Sequence, residues 1–198
     1  TTASSMNEAL LGFEKFGGEV HAYFVAYRDE EIESLRKQCQ HITLNSLTQW
    51  QHFQHLIHDQ DTVASFGLRI NPEYSEVETE IYNPCCQGTR FGVSAADLHQ
   101  MSPNILQGLE GLHFHTMCEQ NADTLARTLE HVEAKFGDFL HQVKWLNCGG
   151  GHHITRPDYD TSLLIELIGH LRKTYDIDVY LEPGEAVALN TGYLIASV

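Results

Sequence analysis

The chain has 198 residues, 42% of them hydrophobic and 20% charged, a composition of folded globular proteins that excludes the disordered and collagen-like classes. Twelve basic against 27 acidic residues leave a formal charge of −15, which argues against nucleic acid and anionic membranes as partners and favours a cationic ligand. There is no apolar run near the roughly 20 residues of a membrane span and no signal-peptide pattern in TTASSMNEALLGFEKFGG; five irregularly spaced cysteines without a CxxC pair fit a reducing cytoplasm.

In chain order, hydrophobic period predicts a strand over 18–27, a helix over 29–38, a strand over 41–44, a helix over 47–58 and a strand over 63–70. After a long irregular stretch come a helix over 95–101, a strand over 111–115, a helix over 122–136, a strand over 143–148, a helix over 159–175 and a strand over 177–181. Asn121 and Asp158 stand where N-caps belong. Most of these strands read as apolar on both faces, as in a sheet covered on both sides. Strand alternating with helix predicts an α/β fold with a parallel sheet, either doubly wound or closed into a β/α barrel. A complete barrel typically takes about 250 residues, so the chain reads as one domain, 1–198 without internal boundary, and as an incomplete barrel. The stretch 71–92, with Pro72, Pro84, Cys85, Cys86 and Gly88, is too broken for a crossover helix and has the length of a functional loop. Its acids Glu73, Glu76, Glu78 and Glu80 read as a solvated face.

The candidate chemistry falls just after the predicted strands, where such folds place their sites. Gly149, Gly150 and Gly151 let backbone N–H groups approach an anion, typically a phosphate, though a flexible turn has the same sequence. Glu182, in EPGE, is a carboxylate delivered by a strand to the mouth of the fold; it suits a protonated ring nitrogen, a cation or acid–base work, and a solvated turn is the plain alternative. Alternation puts His113 and His115 of HFH on one face. With His152 and His153 they have ligand chemistry for a metal-dependent hydrolase, but thirteen histidines make chance pairs expected and no metal is assigned. His21, His41 and His170 read as ordinary residues, and Cys118 as a buried, inert cysteine.

Taken together, GLRINPEYSEVETEIYNPCCQGTRFGV, GLHFHTMCEQN, WLNCGGGHHITRPDYD and YLEPGEA resemble the carboxynorspermidine (carboxyspermidine) decarboxylases. That family belongs to the β/α-barrel, alanine-racemase-like, fold-type III decarboxylases that use pyridoxal phosphate, with ornithine, arginine and diaminopimelate decarboxylases as relatives. The resemblance implies a TIM-like barrel, decarboxylation of a polyamine precursor to norspermidine or spermidine, and a cytoplasmic homodimer with shared active sites. It implies that His115 stacks on the cofactor ring, that Gly149, Gly150, Gly151 and Gly184 lie at its phosphate, and that Glu182 pairs with its pyridine nitrogen. Ser5 and Glu8 match a Ser and a Glu near the cofactor, and Arg90 the basic residue of the long loop.

Three features depart from the wider pattern. Glu185 replaces the Arg that follows EPG in ornithine-type relatives and would suit a substrate amino group. Cys118 stands where many relatives carry a phosphate-binding Ser. None of Lys15, Lys37, Lys135, Lys144 or Lys173 has the setting of the Schiff-base lysine, so the chain reads as the middle of the enzyme, without the first, lysine-bearing strand or the carboxyl-terminal β domain, and as inactive alone. The alternatives are a diaminopimelate- or ornithine-type decarboxylase and a lysine-less regulatory homologue.

Overall fold

Seven short strands alternate with helices along the chain. The computed structural model describes residues 1–101, 105–193 and 195–197. The strands are β1 (Thr2–Ala3), β2 (His21–Tyr23), β3 (His41–Leu44), β4 (Ser65–Arg69), β5 (Gly111–His113), β6 (Trp145–Asn147) and β7 (Asp178–Tyr180). All pair in parallel and in chain order. The helices are α1 (Met6–Leu11), α2 (Asp29–Leu35), α3 (Leu47–Phe53), α4 (Ala95–His99), α5 (Ala122–Leu140), α6 (Thr161–Tyr175) and α7 (Gly184–Ala188).

The sheet is curled. Hydrogen-bonded strands lie about 4.8 Å apart, so in a flat sheet His21 on β2 and Tyr180 on β7, five strands on, would be roughly 24 Å apart. Their ring centroids are 5.0 Å apart. His41 of β3 fills the space between, stacked on His21 at 4.1 Å and on Trp145 of β6 at 4.3 Å. The Trp145 indole lies across Gly67 and Gly111, where an added Cβ would sit 2.2 and 2.0 Å from its ring. Glycine at these two positions is thus a packing requirement, and the four rings close the barrel interior below the strand ends. The outcome is a parallel β/α half-barrel, the incomplete-barrel alternative expected from sequence, and not a doubly wound sheet.

The apolar core lies outside this sheet. Ile42, Leu44, Phe66, Leu68, Leu112, Phe114 and Leu146 are all buried, and by alternation they face away from the interior rings. Helix α5 adds Leu125, Leu129, Val132, Phe136 and Leu140 at three- and four-residue steps, one helical stripe of buried side chains. The inner face carries His41, Thr43, Arg69, His113 and Asn147, all buried. The expectation of strands apolar on both faces is therefore corrected. The apolar surface is one-sided, and the inner face is aromatic and polar.

Other corrections are local. Helix α1 and the π turn Gly12–Phe16 precede β2. Helix α6 is capped by Asp160, whose carboxylate accepts from Leu163 N at 2.9 Å, while Asp158 pairs with Arg156. Asn121 caps α5 as expected, and its Oδ1 also accepts from Asp160 N at 2.8 Å, tying the starts of α5 and α6 together. The acidic loop is no mere solvated face. Glu76 receives Arg127 of α5 through Nε and Nη2 at 2.5 and 2.8 Å, and Glu73 receives Lys135 at 2.7 Å, clamping 71–92 onto that helix.

Candidate active site

At the carboxyl ends of the strands is a cavity of about 550 Å³, lined by residues that include Ser4, Tyr23, Arg69, Phe91, His115, Cys118 and Glu182. This is the end of a β/α barrel at which the loops are free to build a site. Volume and position suit a small cofactor together with a substrate.

Glu182 is brought here by β7. Its Oε1 accepts from Asn147 Nδ2 at 2.8 Å, and its Oε2 stands 3.9 Å from His113 Nε2. Burial alone would raise this carboxyl; His113, Asn147 and His115 outweigh it and hold the group at about 2. Glu182 is therefore a fixed, mostly buried anion on the cavity wall. His115 is its neighbour of opposite tendency, for burial, aided by His113 and Arg69, lowers the imidazole to about 4. His115 is thus a neutral ring at physiological pH, and its Nδ1 accepts from Gly150 N at 3.4 Å.

The glycine loop is fixed by close approach. Gly149 and Gly151 have φ of 70° and 84°, the left-handed region that glycine enters without strain. An added Cβ would lie 2.5 Å from the Phe114 carbonyl at Gly149, 2.8 Å from the Glu182 carbonyl at Gly150 and 2.3 Å from the Met117 carbonyl at Gly151. The loop is wedged between the ends of β5 and β7, so it is no flexible turn.

Three participants went unrecognised in the sequence. Arg69 is a buried cation that donates to Tyr23 Oη at 2.6 Å and to the His115 carbonyl at 3.1 Å, with its guanidinium over the Tyr23 and Phe91 rings. Asn147 holds Glu182, and Tyr23 in turn donates to Asn45 Oδ1 at 2.8 Å. The signals were present: a lone Arg ending an apolar strand, and an Asn two residues after Trp145, hence on its face.

Other expected residues stand apart from the lining. Ser5 caps α1, accepting from Glu8 N at 3.4 Å, while the Glu8 carboxylate accepts from Ser4 N at 2.7 Å, one residue before the cap. Arg90 is exposed; its carbonyl accepts from Asn45 Nδ2 at 2.8 Å and its guanidinium lies 5.5 Å from the Phe91 ring centroid. Glu185 faces His153 at 3.3 Å. Gly184 opens α7 with open space around it. Cys118 is exposed on the cavity wall, a correction to the buried cysteine expected from sequence. His113, His115 and Glu182 have donor atoms within 4.8 Å of one another. The five lysines lie elsewhere: Lys135 on Glu73, Lys144 on Glu110, Lys37 near Asp61, Lys15 beside Phe16 in an outer groove and Lys173 in the last turn of α6.

No protein-family model matches the chain. It is 41% identical over 198 residues to the carboxyaminopropylagmatine decarboxylase of Synechocystis sp., covering all of this chain and 50% of that protein. It is 42% identical over 197 residues to the carboxynorspermidine/carboxyspermidine decarboxylase of Campylobacter jejuni, again covering all of this chain and 50% of the relative. The crystal structure of Campylobacter jejuni carboxynorspermidine decarboxylase with norspermidine superposes with a TM-score of 0.82 at 39% identity, over 94% of this chain and 46% of that one. The chain spans about half the length of the curated relatives it matches.

Proposed function

We propose that this chain, a homologue over its whole length of the carboxynorspermidine/carboxyspermidine decarboxylases, carries most of the active site of a pyridoxal-phosphate-dependent enzyme that decarboxylates carboxynorspermidine and carboxyspermidine to norspermidine and spermidine. The observation that carries the reading is Glu182, a half-buried carboxylate held ionised beside the neutral ring of His115.

The residues fit the cofactor. An anion beside a pyridine ring nitrogen favours its protonated form, and Glu182 is such an anion. The His115 ring lines the cavity where a flat ring would be held. The wedged loop Gly149–Gly151, with Cys118 and Gly184 at its borders, is the side assigned to the phosphate. When bound, pyridoxal phosphate supplies the ring that accepts the electron pair left as carbon dioxide departs. Every other task falls to the protein. Glu182 keeps a proton at the ring nitrogen; Asn147 and His113 keep Glu182 ionised and aimed. Arg69, fixed by Tyr23, holds the His115 carbonyl and sets a cation into the cavity wall. The formal charge of −15 favours approach of a polycation.

The cofactor-bearing lysine belongs, on this reading, to residues outside these 198, and the working protein is a cytoplasmic homodimer, both by family likeness. Borohydride reduction of the full-length protein after incubation with pyridoxal phosphate tests the cofactor assignment. One pyridoxyl adduct on a lysine outside this segment supports it; no specific adduct overturns it in favour of a lysine-less regulatory homologue. Because the Synechocystis relative acts by name on carboxyaminopropylagmatine, that compound is the competing substrate to assay.

A further inference from the structure

Beyond the cavity lining, the loops after β5 and β6 and the first turn of α7 bring together Glu119, His153 and Glu185, whose donor atoms lie within 4.8 Å of one another. His153 is only 4% exposed, and neither of its ring nitrogens makes a hydrogen bond among the described residues. Its Nε2 nevertheless faces the Glu185 carboxylate at 3.3 Å, an approach without hydrogen-bond alignment. A buried polar nitrogen left unpaired is costly. A neighbouring cation, Arg156, is engaged by Asp158 at 2.7 and 2.9 Å and reaches Glu119 at its carbonyl, at 3.5 Å. The loops are already held in register, with Gln120 N donating to the Gly151 carbonyl at 2.9 Å and His153 N to the Gln120 carbonyl at 3.3 Å.

We propose that Glu119, His153 and Glu185 bind one divalent transition-metal ion, zinc foremost. An imidazole nitrogen with two carboxylates is a zinc-type donor set, and the exposed side of the cluster leaves a position for water. The metal takes the orphaned lone pair of His153 and neutralises two adjacent acids. It acts as a clasp joining the ends of three strands directly behind the glycine loop, and takes no part in bond making. The proposal is independent of the cofactor reading.

The test is equilibrium dialysis of the full-length, tag-free protein against zinc chloride, with metal counted per chain, for wild type and for Glu119→Gln and His153→Gln. Glu119 is exposed, so its substitution leaves the fold intact even where loss of His153 does not. One zinc fewer per chain in Glu119→Gln, with zinc affinity at least about tenfold weaker in the zinc dependence of the melting temperature, supports the clasp. An anomalous zinc peak between the three side chains supports it directly. No zinc bound by wild type, or equal zinc in wild type and both variants, overturns it and leaves His153 and Glu185 as a plain ion pair.

Discussion

The carboxylate of Glu182 stands 3.9 Å from the buried imidazole of His113 while Asn147 donates to its other oxygen. Removing the charge and keeping the shape isolates its function. Glu182→Gln is expected to lower kcat of the full-length enzyme by about 10²- to 10⁴-fold, the range for loss of a positioned proton-holding group. Circular dichroism is expected to be unchanged. An undiminished kcat would remove Glu182 from the chemistry.

Acid should destabilise the protein in two stages. Burial lowers both His41 and His115 to about 4, with His21 adding to the effect on His41 and His113 to that on His115. Unfolded, both titrate near 6.5. Between pH 6.5 and 4 the unfolded chain thus binds more protons, and stability falls as pH falls, by about 3 kcal/mol for His115. Glu182 has the same sign in a lower window: its contribution is complete above about 4.5 and is lost as pH falls through about 2. His41→Phe retains stacking on Trp145 and abolishes one titration, so its melting temperature should fall less steeply than wild type between pH 6.5 and 4. Parallel curves would contradict this.

The two kinds of glycine in the site separate packing from ligand contact. Gly151→Ala meets the Met117 carbonyl at 2.3 Å from a left-handed backbone, and should cost about 1–3 kcal/mol in strain alone. Gly184→Ala meets nothing within 4 Å, and should leave stability within about 0.5 kcal/mol of wild type. Thermal melting distinguishes them, and pyridoxal-phosphate affinity is expected to drop with Gly151→Ala. Equal melting temperatures would show the loop to be free to adjust.

How far the site was readable depended on the kind of signal. The alternation of strands and helices and the positions of His115, Gly149–Gly151 and Glu182 at strand ends were visible, because each depends on local pattern. Asn147 and Arg69 were not singled out, since their roles arise only when β4, β6 and β7 curl toward one interior. Ring contacts such as His21 with Tyr180 depend on that curl, which no local period encodes. The cap that Ser5 makes on Glu8 N is local, yet α1 was too short to stand out by periodicity.

The clamp between Glu76 and Arg127 should set the mobility of the long loop. Arg127, with the Tyr74 hydroxyl, holds Glu76 at about 2 against the cost of burial. Glu76→Gln removes a partly exposed ion pair, with a global loss of about 1 kcal/mol. Limited proteolysis is the sensitive assay: cleavage within 71–92 is expected to quicken in the variant. Unchanged cleavage would mean that Lys135 and Glu73 hold the loop unaided.

The most direct test of the central claim is incubation of the full-length protein, loaded with pyridoxal phosphate, with carboxynorspermidine, recording carbon dioxide release and product mass together. The account predicts stoichiometric carbon dioxide and norspermidine, both abolished or strongly reduced in Glu182→Gln. Turnover unaffected by that substitution, or no carbon dioxide from any carboxylated polyamine, carboxyaminopropylagmatine included, would contradict it.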